Sequence, residues 1–264
     1  MGYSYDCVTD LKQRARRIAR EETMSHHQAL DEAARRGGYP NFANALKHLP
    51  TERQPQFYSV QIRQRWRNAE TRTMGEAIAS VHLRSPLTAL LRPHHLVEYL
   101  GGCTIEGEDI LRSDGFRRDR EDSIGDLSKL ARALQFIEAT GLRPSRARRC
   151  YPKGNWDNRP PIADHDSAWF DPVARVHLLV TQPYPGRASS RWDQQLAWEQ
   201  RTGWQTHRTT WGSLYGHGTE FYLLCPAAYS PTLLEKIARL EASPLAISDE
   251  AVDPGDGAVR RAAA

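Results

Sequence analysis

The chain reads as an α+β protein, with an N-terminal three-helix segment followed by short antiparallel sheets with packed helices. Three observations predict it. Apolar residues recur at helical spacing from Leu11 to Leu49. Two runs, Tyr58 to Trp66 and Ala77 to Leu83, alternate apolar and polar residues with the period of a half-buried strand. Strand and helix patterns then mix on both sides of a basic stretch near residues 143–154, without an internal repeat.

Leu11, Ala15, Ile18 and Ala19 share one face of a first helix over about Thr9 to Glu22, whose other faces carry Arg14, Arg16, Arg17 and Arg20. Ser25 caps a second helix, with Gln28 as its reciprocal capping partner three residues on. Its stripe is Ala29, Leu30, Ala33 and Ala34, and Gly37-Gly38 ends it. Asn41 caps a third, short helix with Phe42, Ala45, Leu46 and Leu49 inward. Two short helices around a glycine turn suit a DNA-reading pair that would offer Asn44, Lys47 and His48 to a groove. A three-helix cap on the main body accounts for the same pattern, and the arginines lie on the wrong helix for base reading.

The alternating runs predict a hairpin with one wet, arginine-bearing face. Pro86 to Leu100 reads as helical in pieces, interrupted at Pro93, and a strand follows around Cys103 to Ile110. Arg112 to Asp122 is dense in charge and reads as a solvated loop. Leu127, Leu130, Ala131, Leu134 and Ile137 mark the clearest helix, closed by Gly141. Pro144 to Gly154 is basic and poor in apolar residues, the pattern of a linker and equally of a phosphate-contacting patch. Further on, strands are expected over Arg175 to Thr181, Gln205 to Trp211 and Thr219 to Cys225. A helix capped by Ser190 carries Trp192, Leu196 and Ala197, and a last one capped by Ser230 is lined by Leu233, Leu234, Ile237 and Leu240. The expected units are residues 1–50, 51–142 and 155–242, with a disordered tail over 243–264.

Size and composition bound the function. At 264 residues, with 39% hydrophobic and 26% charged residues, the chain can bury a substantial core. Without a run of eighteen apolar residues or the apolar core of a signal peptide, a cytoplasmic protein with no membrane partner is expected. Cys7, Cys103, Cys150 and Cys225 form no Cys-x-x-Cys pair, which removes a zinc ribbon and leaves four reduced thiols as the expectation. The net charge is +4, and only five of the 36 basic residues are lysine. Arginine's planar fork suits phosphate, although arginine-favouring codon usage accounts for the excess as readily.

The stretch from Asp157 to Pro226 holds five of the seven tryptophans. Asp164, His165, Trp169, Tyr184, Trp211, Tyr215 and His217 there are the pocket candidates, aromatic and titratable side chains beside glycine turns. Asp164, His165, Asp166, His217 and Glu220 could serve a metal-dependent or hydrolase-like enzyme. Their spacing gives no element two ligands, so neither metal nor cofactor is expected. Arginines cluster at Arg143, Arg146, Arg148 and Arg149, with Arg14 and Arg17 on the first helix, as a basic patch. In a binding protein, Trp169, Tyr184, Trp211 and Tyr215 would stack on bases while Arg159, Arg187 and Arg208 met phosphate.

Ser25-His26, Gln28-Ala29-Leu30-Asp31 and Gly38-Tyr39, taken with Trp169-Phe170-Asp171-Pro172, Pro183-Tyr184 and Trp211 to Gly218, carry a resemblance. From about Asp10 to Ala242 the chain resembles a proteobacterial family of unknown function, often encoded on plasmids and integrated elements. The resemblance implies no activity, cofactor or site residue. Its mobile-element setting implies contact with nucleic acid or with a partner protein. The expectation is therefore a non-enzymatic binding protein, with an enzyme centred on His165 and His217 as the alternative.

Overall fold

The structure is a computed structural model that describes residues 4–51, 57–216, 218–242 and 247–248, with only the backbone described for the last pair. The chain divides into two compact units, Met1–Gln56 and Phe57–Ala264.

The first unit is three helices, α1 (Val8–Glu21), α2 (His26–Arg36) and α3 (Phe42–His48). Their stripes meet in a small core of Leu11, Ala15, Ile18, Ala29, Leu30, Ala33, Ala34 and Ala45. Both parts of the Ser25–Gln28 capping box form, and the Asn41 side chain accepts from the Asn44 N–H at 2.8 Å. Gly38, with φ +84°, makes the left-handed turn. Leu46 does not turn inward; it is 48% exposed, because Ala45 occupies the inward position of this two-turn helix. The Val8 N–H donates to the Pro50 carbonyl and closes the segment on itself.

The second unit holds β1 (Tyr58–Asn68), β2 (Thr73–Leu83), α4 (Leu87–Leu90), β3 (Cys103–Glu106), β4 (Ile110–Arg117) and α5 (Arg120–Thr140). It continues with β5 (Arg143–Ser145), β6 (Ser167–Asp171), β7 (Val176–Thr181), α6 (Arg187–Ser190), α7 (Trp192–Thr202), β8 (Trp204–Thr209), β9 (Phe221–Pro226), α8 (Ser230–Glu241) and β10 (Ile247–Ser248). The first sheet runs β10-β2-β1-β4-β3 and the second β5-β6-β7-β9-β8. The second is antiparallel throughout. The first is not, since β1 and β4 pair in parallel, with a bulge between Gln64 and Arg65. Gln64, fully buried, spans that bulge by donating its amide to the Gly115 carbonyl at 2.7 Å.

β4 falls where a solvated loop was expected. Its charges belong to one face of a strand: Leu111 and Ser113 turn inward, while Arg112 is held between Glu106 on the adjacent β3 and Glu76 on β2, two strands away. Asp119 then caps α5, accepting from the Asp122 N–H at 2.8 Å. Gly141 closes that helix at φ +70°.

α5 buries a broad apolar face of Leu127, Leu130, Ala131, Leu134, Phe136 and Ile137, while Arg120, Glu121 and Ile124 are exposed. It packs on β1 and β2, while its Phe136 ring meets Trp169 of β6 at 4.7 Å and Phe221 of β9 at 5.6 Å. One core consequently runs from Ile62 and Leu83 through Phe136 to Trp169, Leu223 and Leu240. The boundary expected near residues 143–154, with units 51–142 and 155–242, gives way to a single unit from Phe57. That stretch looked like a linker because of its arginines, but Pro144, Cys150, Tyr151 and Pro152 are buried and Arg143–Ser145 is an edge strand.

Smaller departures follow the same logic of burial. Ser190 ends α6 instead of capping α7, whose inward residues are Gln195 and Trp198 while Leu196 faces out. Ser230 lies inside α8, its hydroxyl bonded to His207 Nε2 at 2.8 Å, and Leu234 is exposed. All four cysteines are buried and free. The expected unstructured tail lies outside the described residues except 247–248, whose backbone pairs with β2 as β10.

Candidate functional site

Two regions of the second unit gather the chemistry, and they divide the expected residues between them. The first is an aromatic corner beyond the ends of β6 and β7. Thr181 Oγ1 accepts from the Asp164 N–H at 2.8 Å and donates to its carbonyl at 2.9 Å, which fixes the turn entering β6. His165 follows with φ +47°, a left-handed conformation that costs a non-glycine residue energy and is held here by its neighbours. Its carbonyl accepts from the Tyr99 hydroxyl at 2.6 Å, and burial pushes that phenol well above its usual range, so it stays a donor.

The His165 ring stacks on Tyr215 with centroids 3.5 Å apart and meets Tyr184 edge-on at 5.6 Å. Asp164 Oδ1 is 3.8 Å from His165 Nε2, and Arg187 Nε is 3.6 Å from Asp164 Oδ2. Gln182 organises the far side. Its Oε1 accepts from Ser213 Oγ at 2.7 Å, Leu214 N at 2.6 Å and Tyr215 N at 3.0 Å, while its amide donates to Tyr99. The corner therefore unites Asp164, His165, Tyr184 and Tyr215.

It does not include the remaining pocket candidates. Trp169 is a core residue, its Nε1 donating to Ser167 Oγ at 2.9 Å. Trp211 lines a separate cavity of about 230 Å³ with Arg132 and Glu241. His217 lies outside the described residues. The arginines expected to meet phosphate here are engaged with carboxylates: Arg159 with Asp166 at 2.7 Å, Arg208 with Glu220 at 2.9 Å, and Arg187 with Asp164. Among the described residues no three His, Cys, Asp or Glu side chains are grouped as metal ligands.

The second region is a groove of about 680 Å³ between the turns at residues 93–97 and the β5-β6-β7 face. Its polar lining is Arg143, Arg146, His94, His95 and His177, with Ser145; its apolar lining comes from Pro93, Leu96, Val97, Pro144, Phe170 and Pro172. Strand register builds the floor. Arg143 stands opposite Phe170 across β5 and β6, and Phe170 opposite His177 across β6 and β7. Side chains paired in this way lie on one face, so a cation, a phenyl ring and an imidazole form a row, with the two rings 4.7 Å apart.

The field in the groove is positive. Burial lowers the pKa of His95 to about 4, helped by the charges of His94, Arg143 and Arg92. Burial and the nearby Arg149 lower that of His177 too. His177 Nδ1 is covered and has no hydrogen-bond partner. Arg143 donates to the Leu142 carbonyl at 3.2 Å. Neither it nor Arg146, Arg148 or Arg149 forms an ion pair with a carboxylate among the described residues; Glu98 feels the Arg146 charge without pairing with it. Arg148 and Arg149 are exposed on the turn that follows β5.

Of the expected basic patch, four arginines thus belong to this edge. Arg14 and Arg17 belong to α1 of the first unit, where Arg17 pairs with Glu21 at 2.8 Å. Sequence reasoning missed His94, His95, Phe170 and His177 as groove residues. The Arg92-Pro93-His94-His95 run was the one local signal; Phe170 and His177 depend on strand register. Comparison of the chain with family models, curated proteins and solved structures finds no match. Fold and site define the class: an α+β protein with a cationic, histidine-lined groove along one sheet edge.

Proposed function

We propose that the chain is a nucleic-acid-binding protein that meets phosphate along the edge formed by Arg143, Arg146, Arg148 and Arg149. One contrast carries the reading. The arginines of the aromatic corner are paired with carboxylates, whereas those of the groove edge are not, and an arginine whose fork is already occupied has little left for a phosphate. The mobile-element setting implied by the resemblance supports the same partner. An enzyme centred on His165 has Asp164 beside the ring in its favour. Against it, the His165 ring is stacked on Tyr215, and its Nε2 is covered and hydrogen-bonded to no nucleophile.

Binding of a labelled oligonucleotide across a salt series tests the proposal. Affinity should fall as salt rises, with a log–log slope of about −0.7 for each single-strand phosphate neutralised. Arg143→Ala and Arg146→Ala should each flatten that slope by about that unit. Binding that ignores salt, or no binding at low salt, would remove the reading.

A further inference from the structure

Resting on that reading, we infer that the groove takes an unstacked nucleotide of a single strand. Its base lies against Phe170 and His177, and its phosphate lies between Arg143 and Arg146. Three observations lead there. The volume, about 680 Å³, belongs to the range of small-ligand pockets, so one or two nucleotides fit and a duplex does not enter. The lining is mixed: a surface meant only for the backbone of a duplex would be cationic throughout, yet this one has Phe170, Pro144 and Pro172 on its walls. The order across the strands is Arg143, Phe170, His177, which sets a cation beside a flat apolar face, as a phosphate sits beside its base.

Imidazole adds a further contact. The His177 ring, 4.7 Å from that of Phe170, extends the flat face at the end of that row. An inorganic anion would satisfy the arginines and leave Phe170 unused. An acidic peptide would do likewise unless it carried a ring.

Fluorescence anisotropy with the full chain compares four probes: a single-stranded oligonucleotide, the same sequence as a duplex, polyphosphate and polyglutamate. Single strand should bind tightest. Phe170→Leu keeps apolar bulk but removes the flat face, so it should weaken single-strand binding roughly five- to 150-fold and leave polyphosphate binding unchanged. Circular dichroism of that variant establishes that it folds, and His177→Ala provides a second lesion in the same row. Equal affinity for duplex, polyphosphate or polyglutamate, or an unchanged Phe170→Leu affinity for single strand, overturns the base-binding inference while leaving salt-dependent nucleic-acid binding intact. Failure of both oligonucleotides at low salt overturns the proposed function, and this inference with it.

Discussion

Lys236 Nζ lies 3.2 Å from Asp171 Oδ2, and both side chains are almost closed off from solvent. The same carboxylate accepts from the Tyr229 hydroxyl at 2.5 Å and from the Val173 and Ala174 N–H groups, and Lys236 also donates to the Thr140 carbonyl at the end of α5. The pair ties α8, the β6–β7 turn and α5 together. Asp171→Ala would strand a buried ammonium and a buried phenol, and removing one partner of such a pair costs about 3–5 kcal/mol. Urea unfolding should show that loss, and an additional Lys236→Met should restore part of it.

The same residue sets an acid limit. Burial pushes the Asp171 carboxyl up, but the hydrogen bonds from Tyr229, Ala174, Val173 and Lys236 outweigh it and hold the group below its usual range. A carboxyl lowered on folding contributes stability above its unfolded pKa of about 3.9, and that contribution disappears as pH falls through the lower folded value. Asp171→Asn should therefore be less stable at neutral pH and lose less on acidification below about pH 4. Urea midpoints across that range check it.

For the groove residue His95 the sign is the same and the pH window is higher. His95, near 4 in the folded chain against about 6.5 unfolded, stays neutral while the unfolded state takes up a proton. Its neutral burial is fully tolerated above about pH 6.5 and destabilises increasingly as pH falls towards 4. His95→Gln should lessen the fall in melting temperature between pH 7 and pH 5. A bound phosphate should raise the lowered pKa values of His95 and His177, so oligonucleotide affinity should increase on acidification, with proton uptake seen as buffer-dependent heat in calorimetry.

Gln182 is a buried hub whose one oxygen serves three donors. Gln182→Met keeps the volume but leaves Ser213 Oγ, Leu214 N and Tyr215 N without that acceptor. At about 1–3 kcal/mol per stranded buried group, thermal unfolding should show a loss of at least 2 kcal/mol. Tyr215 should also loosen from His165, which the environment of the His165 ring protons in NMR would report.

Gly141 adopts φ +70° at the end of α5. Alanine there must enter the left-handed region, at a cost of about 1–2 kcal/mol. Gly115, in open space at ordinary φ, should accept alanine with a much smaller change in unfolding free energy.

Much of the fold could be read before any coordinates. The caps at Ser25 and Asn41, the alternation of Val60 and Ile62, and the stripe from Leu127 to Ile137 are local patterns, and local patterns survive folding. β4 and β6 were missed for opposite reasons. Arg112 looks solvated until Glu76 and Glu106 come in from other strands, and Ser167–Asp171 is covered on both faces, so it shows no alternation. The site was half legible. Arginine density marked Arg143 and Arg146, and glycine turns with aromatics marked His165, Tyr184 and Tyr215. Trp169 and Trp211 were drawn in by residue type, which does not say which side of a strand a ring takes. The Arg143–Phe170–His177 row exists only through the register of three strands, and no window of sequence contains it.

Because α5 meets both sheets through Phe136, the two sheets share one core, even though the second also has a smaller one of its own around Trp198 and Leu224. A recombination joint in the basic stretch after Leu142 would therefore divide that shared centre between two descendant genes.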